Sequence, residues 1–303
     1  MGLAEIKGKT YHVDNKLIRM WSNNSLERMK KKNSDRVYIV DGRERSGKST
    51  FAIQQMGFLD PEAFETPEKM CSRIVFDAEQ FHEAVRNTKN GVVIFDEAFR
   101  GFSSRAALSK VNKLLIQTLM EMGQNNNIVF IVLPSVFMLD MYPAMLRSDG
   151  LFHISEDPRT NLRKFEGYNR RDKNKIYQTG ARKGWGYGVK NKFKGRFGGK
   201  FPGGDEFRKA YDKKKMEAFN NKVGDVVEEA ENRWKDEAAV FMTKDFEASG
   251  MQQKEYAEAN HLSLSTLQRR LQRGRLLLEK QQTSAPKDNN INEVIKNNAA
   301  PKV

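Results

Sequence analysis

The chain has 303 residues, enough for one large domain with a sizeable core plus an appendage. Its 53 Lys and Arg against 39 Asp and Glu leave a net charge of +14, with a pI near 9.7. That balance points to a polyanionic partner, nucleic acid first and an anionic membrane surface second. A single cysteine, Cys71, excludes an intrachain disulfide and a cysteine metal cluster and fits a reducing, cytoplasmic setting. Met1 to Thr10 lack the apolar stretch of a signal peptide, and Ile6 stands where a myristoylation signal needs Ser or Thr. The longest apolar run, Ile128 to Leu133, is too short to span a bilayer, so no membrane insertion is expected.

In chain order, residues 1 to 35 are polar and weakly patterned, with one short helix expected over Asn24 to Lys32. The apolar run Val37 to Val40 then leads into Asp41-Gly42-Arg43-Glu44-Arg45-Ser46-Gly47-Lys48-Ser49-Thr50, followed by Phe51 to Met56, which reads as strand, phosphate loop and helix. Glycines at 42 and 47 let the backbone turn its amides toward a polyphosphate. Residues 42 to 50 therefore form the expected nucleotide-binding set. Lys48 reaches the terminal phosphates, and the Ser49 hydroxyl is an expected magnesium ligand. The positive end of the following helix faces the same anion. Asp60-Pro61 stops that helix. A short strand is expected over Arg73 to Phe76, then a helix from Asp77, its cap, to Val85.

Gly91 to Ala98 carries the second chemical signal. A continuous apolar strand ending in Asp96-Glu97 suits a buried parallel sheet whose carboxyl end faces a ligand crevice. Asp96 is expected to hold the magnesium through water, and Glu97 to act as the base that orients the attacking water. The competing reading is a strand followed by a helix cap. The helix Ala106 to Met122 presents Leu108, Val111, Leu114, Leu115, Leu119 and Met122 as a core stripe. Ile128 to Leu133 forms another buried strand, closed by Pro134-Ser135, where Ser135 is placed either to sense the terminal phosphate or simply to cap the strand. A last strand of the sheet is expected over Leu146 to Ile154. Arg147 is a candidate arginine finger, with Arg100 and Arg105 as rivals, and His153 reads as a partnered core histidine.

The runs GRERSGKSTFAIQQ, GVVIFDEA and NNNIVFIVLPS resemble the ATPase domains of the FtsK/HerA group, especially the zonula-occludens-toxin-like ATPases of phages and mobile elements, over residues 35 to 155. The resemblance implies an α/β, RecA-like P-loop NTPase fold of the additional-strand, catalytic-glutamate type. It also implies ATP and Mg2+ as cofactors, Glu97 as catalytic base, assembly into a homo-oligomeric ring such as a hexamer, and DNA translocation or packaging. Ser135 replaces the glutamine that many relatives carry at that strand tip.

From Arg159 to Lys200 basic residues face only Glu166 and Asp172, interleaved with Phe165, Tyr168, Tyr177, Trp185, Tyr187, Phe193, Phe197 and Phe201. Such a stretch reads as a nucleic-acid surface on a β-rich insertion, with Lys183, Lys190, Lys192, Lys194 and Arg196 on phosphates and the rings on bases. The competing reading is a basic hairpin whose rings pack on the ATPase. Asp205 to Phe246 is charged and helical, expected as two helices around Gly224. Gln252 to Leu271 resembles the helix-turn-helix of resolvases, or else is an ordinary helical hairpin; Asn260 is expected in the left-handed turn, Ser263 at the cap, and Ser265, Gln268 and Arg269 toward DNA. The expected divisions are 1–155 (ATPase), 156–204 (basic segment), 205–248 (connector), 249–280 (helix-turn-helix) and 281–303 (disordered tail). The function expected is an ATP-hydrolysing DNA translocation, packaging or remodelling protein of a phage, virus or mobile element. The alternative is an ATP-switched DNA-binding regulator of the partition or transposition type.

Overall fold

In the computed structural model, which describes residues 2–96, 105–157, 159–180 and 186–284, the chain divides into a larger unit, Met1–Lys222, and a smaller one, Val223–Val303. The larger unit opens with a hairpin, β1 (Gly2–Ile6) and β2 (Lys9–Val13), then α1 (Asn15–Asn23) and α2 (Leu26–Lys32). There follow β3 (Arg36–Gly42), α3 (Lys48–Leu59), α4 (Pro67–Ser72), β4 (Ile74–Val75), α5 (Ala78–Asn87), β5 (Val92–Phe95), α6 (Arg105–Glu121) and β6 (Ile128–Val132). The unit continues with β7 (Gly150–Glu156), β8 (Arg163–Asn169), α7 (Arg170–Gly180), β9 (Phe193–Phe197) and α8 (Asp205–Ser249), whose residues beyond Lys222 belong to the smaller unit.

Seven strands form one sheet in the order β4-β5-β6-β3-β7-β8-β9. The first five are parallel, and β8 and β9 extend the sheet antiparallel. The fold is thus α/β with a mostly parallel central sheet, and β6 lies between the phosphate-loop strand β3 and the Asp96 strand β5. Alternation decides which side each residue serves. Tyr38, Val40, Ile94, Phe130 and Phe152 pack on one face with Phe51, Ile53 and Met56 of α3 and with Trp21 of α1. Val37, Ile39, Val93, Phe95 and Ile131 pack on the other with Phe81, Leu115, Leu119 and Ile176. Both faces are covered, so the strands are apolar throughout. Asp77 caps α5 as expected, its carboxylate accepting from the amides of Glu79 and Gln80 at 2.8 and 2.9 Å.

Several expectations are corrected. The polar N-terminus contains a hairpin and a helix besides the expected one, because Tyr11, Val13, Leu17 and Trp21 bury themselves against α3 and the sheet. Trp21 donates its indole N–H to Gln55 at 2.9 Å, which lets so large a side chain be buried with its polar atom satisfied. Residues 146–149 are not strand, since Tyr142–Arg147 is a π-helical turn and β7 starts at Gly150. A boundary at 155/156 has no counterpart in the sheet, because β8 pairs directly with β7 over its whole length. α8 runs through Gly224 as one helix rather than two.

The smaller unit contains the end of α8, then α9 (Gln253–Ala259) and α10 (Leu264–Ser284). Tyr256, Ala257, Leu267 and Leu271 form its core, with Met242, Phe246 and Leu262 against them. A side chain at Gly274 would strike the Ala239 carbonyl at 2.4 Å, so α10 crosses α8 where only a glycine fits. The left-handed residue of the turn is His261, φ 52°, not Asn260. Asn260 instead donates its amide to the Tyr256 carbonyl at 3.0 Å. Ser263 caps α10 by accepting from the Thr266 amide at 3.2 Å. Of the tail expected over 281–303, residues 281–284 belong to α10, a correction, and the rest lies outside the described residues.

Candidate functional site

The carboxyl ends of β3, β5, β6 and β7 converge on residues 41 to 50. Gly42 has φ 140° and lies so close to β7 that a Cβ there would meet the Ile154 carbonyl oxygen at 2.1 Å. Gly47 has φ 93° and is the N-cap of α3. Both therefore occupy conformations that a side chain would strain. Between them Arg43, Glu44 and Arg45 are exposed, and Ser46 is buried with its hydroxyl donating to the Arg43 carbonyl at 2.8 Å. Lys48 folds back over the loop, its Nζ donating to the carbonyls of Gly42 and Arg43 at 2.8 and 2.7 Å. The ammonium is thereby held over the concavity that the loop encloses.

Ser49 and Asp96 come together across α3 and β5. The Ser49 hydroxyl donates to Asp96 Oδ1 at 3.0 Å, and Asp96 is fully buried. Its other oxygen, Oδ2, accepts from the Tyr211 hydroxyl of α8 at 2.6 Å, with Lys215 Nζ 4.0 Å away. Nothing in the sequence signals this contact, which spans a separation of 115 residues. The expected metal ligands are thus side by side and offer oxygen only, which suits magnesium, an ion that completes its shell with phosphates and water. Among the described residues no group of three or more His, Cys, Asp and Glu could hold a metal by itself. Bound there, magnesium would neutralise charge on the phosphates.

A second buried carboxylate, Asp41, organises the neighbouring strand ends. It accepts from the Val136 amide at 2.9 Å, lies 2.9 Å from His153 Nδ1 and takes the Tyr187 hydroxyl as a third partner. Tyr187 stacks near His153 with ring centres 4.1 Å apart, and burial followed by the Asp41 charge pushes its phenol well above the ordinary range. His153 is therefore the partnered histidine expected from its strand. Ser135 sits at the tip of β6 and caps the turn after it, accepting from the Phe137 amide at 3.4 Å.

Arg147 does not fit the finger role. Its guanidinium is paired with Asp35 and donates to the Leu119 carbonyl at 3.0 Å, and it is 16% exposed. Asp35 immediately precedes β3, so this pair lies at the amino end of the strand whose carboxyl end carries the loop. Glu97, Arg100 and Lys183 lie outside the described residues, as does the side chain of Arg105.

Lys190, Lys192, Lys194 and Arg196 are all exposed. On β9 the alternation is strict. Phe193 and Phe197 turn inward, Phe197 lying 5.2 Å from Phe51 and Phe193 6.0 Å from Phe165. Lys194 and Arg196 turn outward, opposite Glu166 and Lys164 of β8. The expectation that Phe165, Phe193 and Phe197 stack on bases is corrected, since these rings form part of the core. In the smaller unit Ser265, Gln268 and Arg269 are exposed at the start of α10, and Gln268 donates to Gln253 at 3.3 Å.

No protein-family model matches this chain, and no curated protein matches it. Among solved structures it is similar to the N-terminal domain of zonular occludens toxin from Neisseria meningitidis, with 15% identity over 59% of this chain and 98% of that one and a TM-score of 0.33. Among the described residues no helix is long and apolar enough to cross a membrane.

Proposed function

We propose that this chain is a RecA-like P-loop ATPase that binds ATP with magnesium on residues 42 to 50 and hydrolyses it, coupled to DNA, as a translocation, packaging or remodelling protein of a phage or mobile element acting as a ring. One observation carries the nucleotide reading: the Ser49 hydroxyl on the buried Asp96 carboxylate at 3.0 Å, beneath a loop that Lys48 closes over. The placement of β6 between β3 and β5 supports the additional-strand class. In it a carboxylate on the second strand faces the phosphates that the loop holds. Glu97, next in sequence after Asp96, is the base in this reading.

The DNA half rests on charge. A net +14 with Lys190, Lys192, Lys194 and Arg196 exposed along one segment favours a polyanion, and phosphate contacts of this kind carry no sequence preference. Ser265, Gln268 and Arg269 at the start of α10 are the base-reading candidates, with Arg269 suited to guanine. The test is the steady-state ATPase rate with and without single- and double-stranded DNA. Stimulation by DNA is expected. A rate indifferent to both would remove the coupling, and no turnover under any condition would remove the ATPase.

A further inference from the structure

Beside the phosphate loop lies a cleft of about 510 Å³ that the loop motif does not account for. It is lined by Thr50, in the first turn of α3, by Arg163 of β8, by Gly199 and Phe201 of the strap that follows β9, and by Tyr211 of α8. The strap is fastened rather than draped. Gln54, buried one turn beyond Thr50, donates its amide to the carbonyls of Gly198 and Lys200 at 2.8 and 2.7 Å. Phe201 packs beside Tyr211 with ring centres 5.8 Å apart, giving the cleft an aromatic wall. Its volume falls in the range of preformed small-molecule sites.

Arg163 is the second observation. Its side chain lies along the loop, and a Cβ on Gly47 would meet its Cδ at 2.9 Å and its Nε at 3.0 Å. Its Nη1 reaches the strap, 3.2 Å from where a Cβ on Gly199 would stand. Glu156 faces it across the β7–β8 pairing, yet Arg163 forms no ion pair with any described carboxylate. A half-buried guanidinium held against Gly47 of a phosphate loop is suited to meet an anion that the loop holds.

We infer that this cleft receives the nucleoside of the bound nucleotide, while Arg163 contacts its phosphate chain from within the same subunit. The inference rests on the ATP reading above and specifies how the substrate lies. With the terminal phosphates on Lys48 and the metal at Ser49 and Asp96, the remaining phosphate leads past Thr50 into a space of nucleoside size with a ring on its wall. Charge from Arg163 acts on any polyphosphate. The aromatic wall and the strap act only on a ligand that carries a base.

That difference supplies the test, made by calorimetric titration of the full chain in magnesium with ATP and, separately, with inorganic tripolyphosphate. Phe201→Ala takes the ring from the cleft wall and adds no side chain beside Arg163. This variant is expected to bind ATP roughly tenfold or more weakly and tripolyphosphate as the wild type does; the latter also certifies an intact loop. Arg163→Gln is expected to weaken both ligands. Unchanged ATP affinity in Phe201→Ala, or equal losses for the two ligands, would overturn the nucleoside site, and Arg163→Gln with unchanged affinities would overturn the phosphate contact. A wild type that binds neither ligand would refute the ATP reading itself, an outcome distinct from all of these.

Discussion

The parallel half of the sheet and its antiparallel extension use the same amino acids to opposite ends. Around β3 and β5 the polar groups are buried and paired, with Asp41 and Asp96 fully enclosed and each contacted by several donors. Along β9 the basic groups are turned out and the rings turned in. In the first region a carboxylate at a strand end marks a site because its desolvation must be offset by partners or ligand. In the second, an aromatic beside a lysine marks only the two faces of a strand. Alternation must therefore be read before chemistry is assigned to a basic, aromatic-rich segment.

The largest effect that would break this contrast belongs to the extension's inner face. Phe197→Ala should destabilise the larger unit by ~3–5 kcal/mol, read as a shifted denaturant midpoint, since Phe197 fills the space beside Phe51. Wild-type stability in that variant would make the ring a base-stacking candidate again. The outer face should behave in the reverse manner. Lys194→Glu with Arg196→Glu should leave the midpoint nearly unchanged but flatten the log-log salt dependence of DNA binding by ~0.9 for each phosphate that the protein no longer neutralises. A slope equal to the wild type's would detach DNA from this face.

A smaller effect probes the parallel half away from the loop. Lys173 of α7 is fully buried, with Nζ donating to Asn174 at 2.8 Å and to the Ala144 carbonyl. Burial, reinforced by the nearby Arg170 charge, brings its pKa down to about 7 from 10.5. Between those values the unfolded chain binds more protons than the folded one, so this residue makes stability rise with pH from about 7 to 10. Lys173→Met should abolish that part of the slope, which thermal melts across the range would show. An identical slope in the variant would assign it to other groups.

The loop, the Asp96 strand and the α5 cap are legible in the sequence because each is local: glycine conformations, apolar continuity and a capping carboxylate are set within a few residues. The N-terminal hairpin is not, because its turn is Lys7-Gly8, both with positive φ, rather than the Asn-Gly or Asp-Gly pair that flags such turns. The alternation of Ile6, Tyr11 and Val13 about that turn is the signal that could have found it. Arg147 misleads because its partner, Asp35, is 112 residues away. Tyr211 on Asp96 and Arg163 on Gly47 are hidden for the same reason, as contacts between elements distant in sequence.

The central claim is that residues 42 to 50 hold a nucleotide through Lys48. Titration of a fluorescent ATP analogue in magnesium into the wild type and into Lys48→Ala tests it most directly. Saturable binding by the wild type, abolished or weakened by at least ~100-fold (about 2.7 kcal/mol) in the variant, is the predicted result. Equal binding by the two proteins would contradict it.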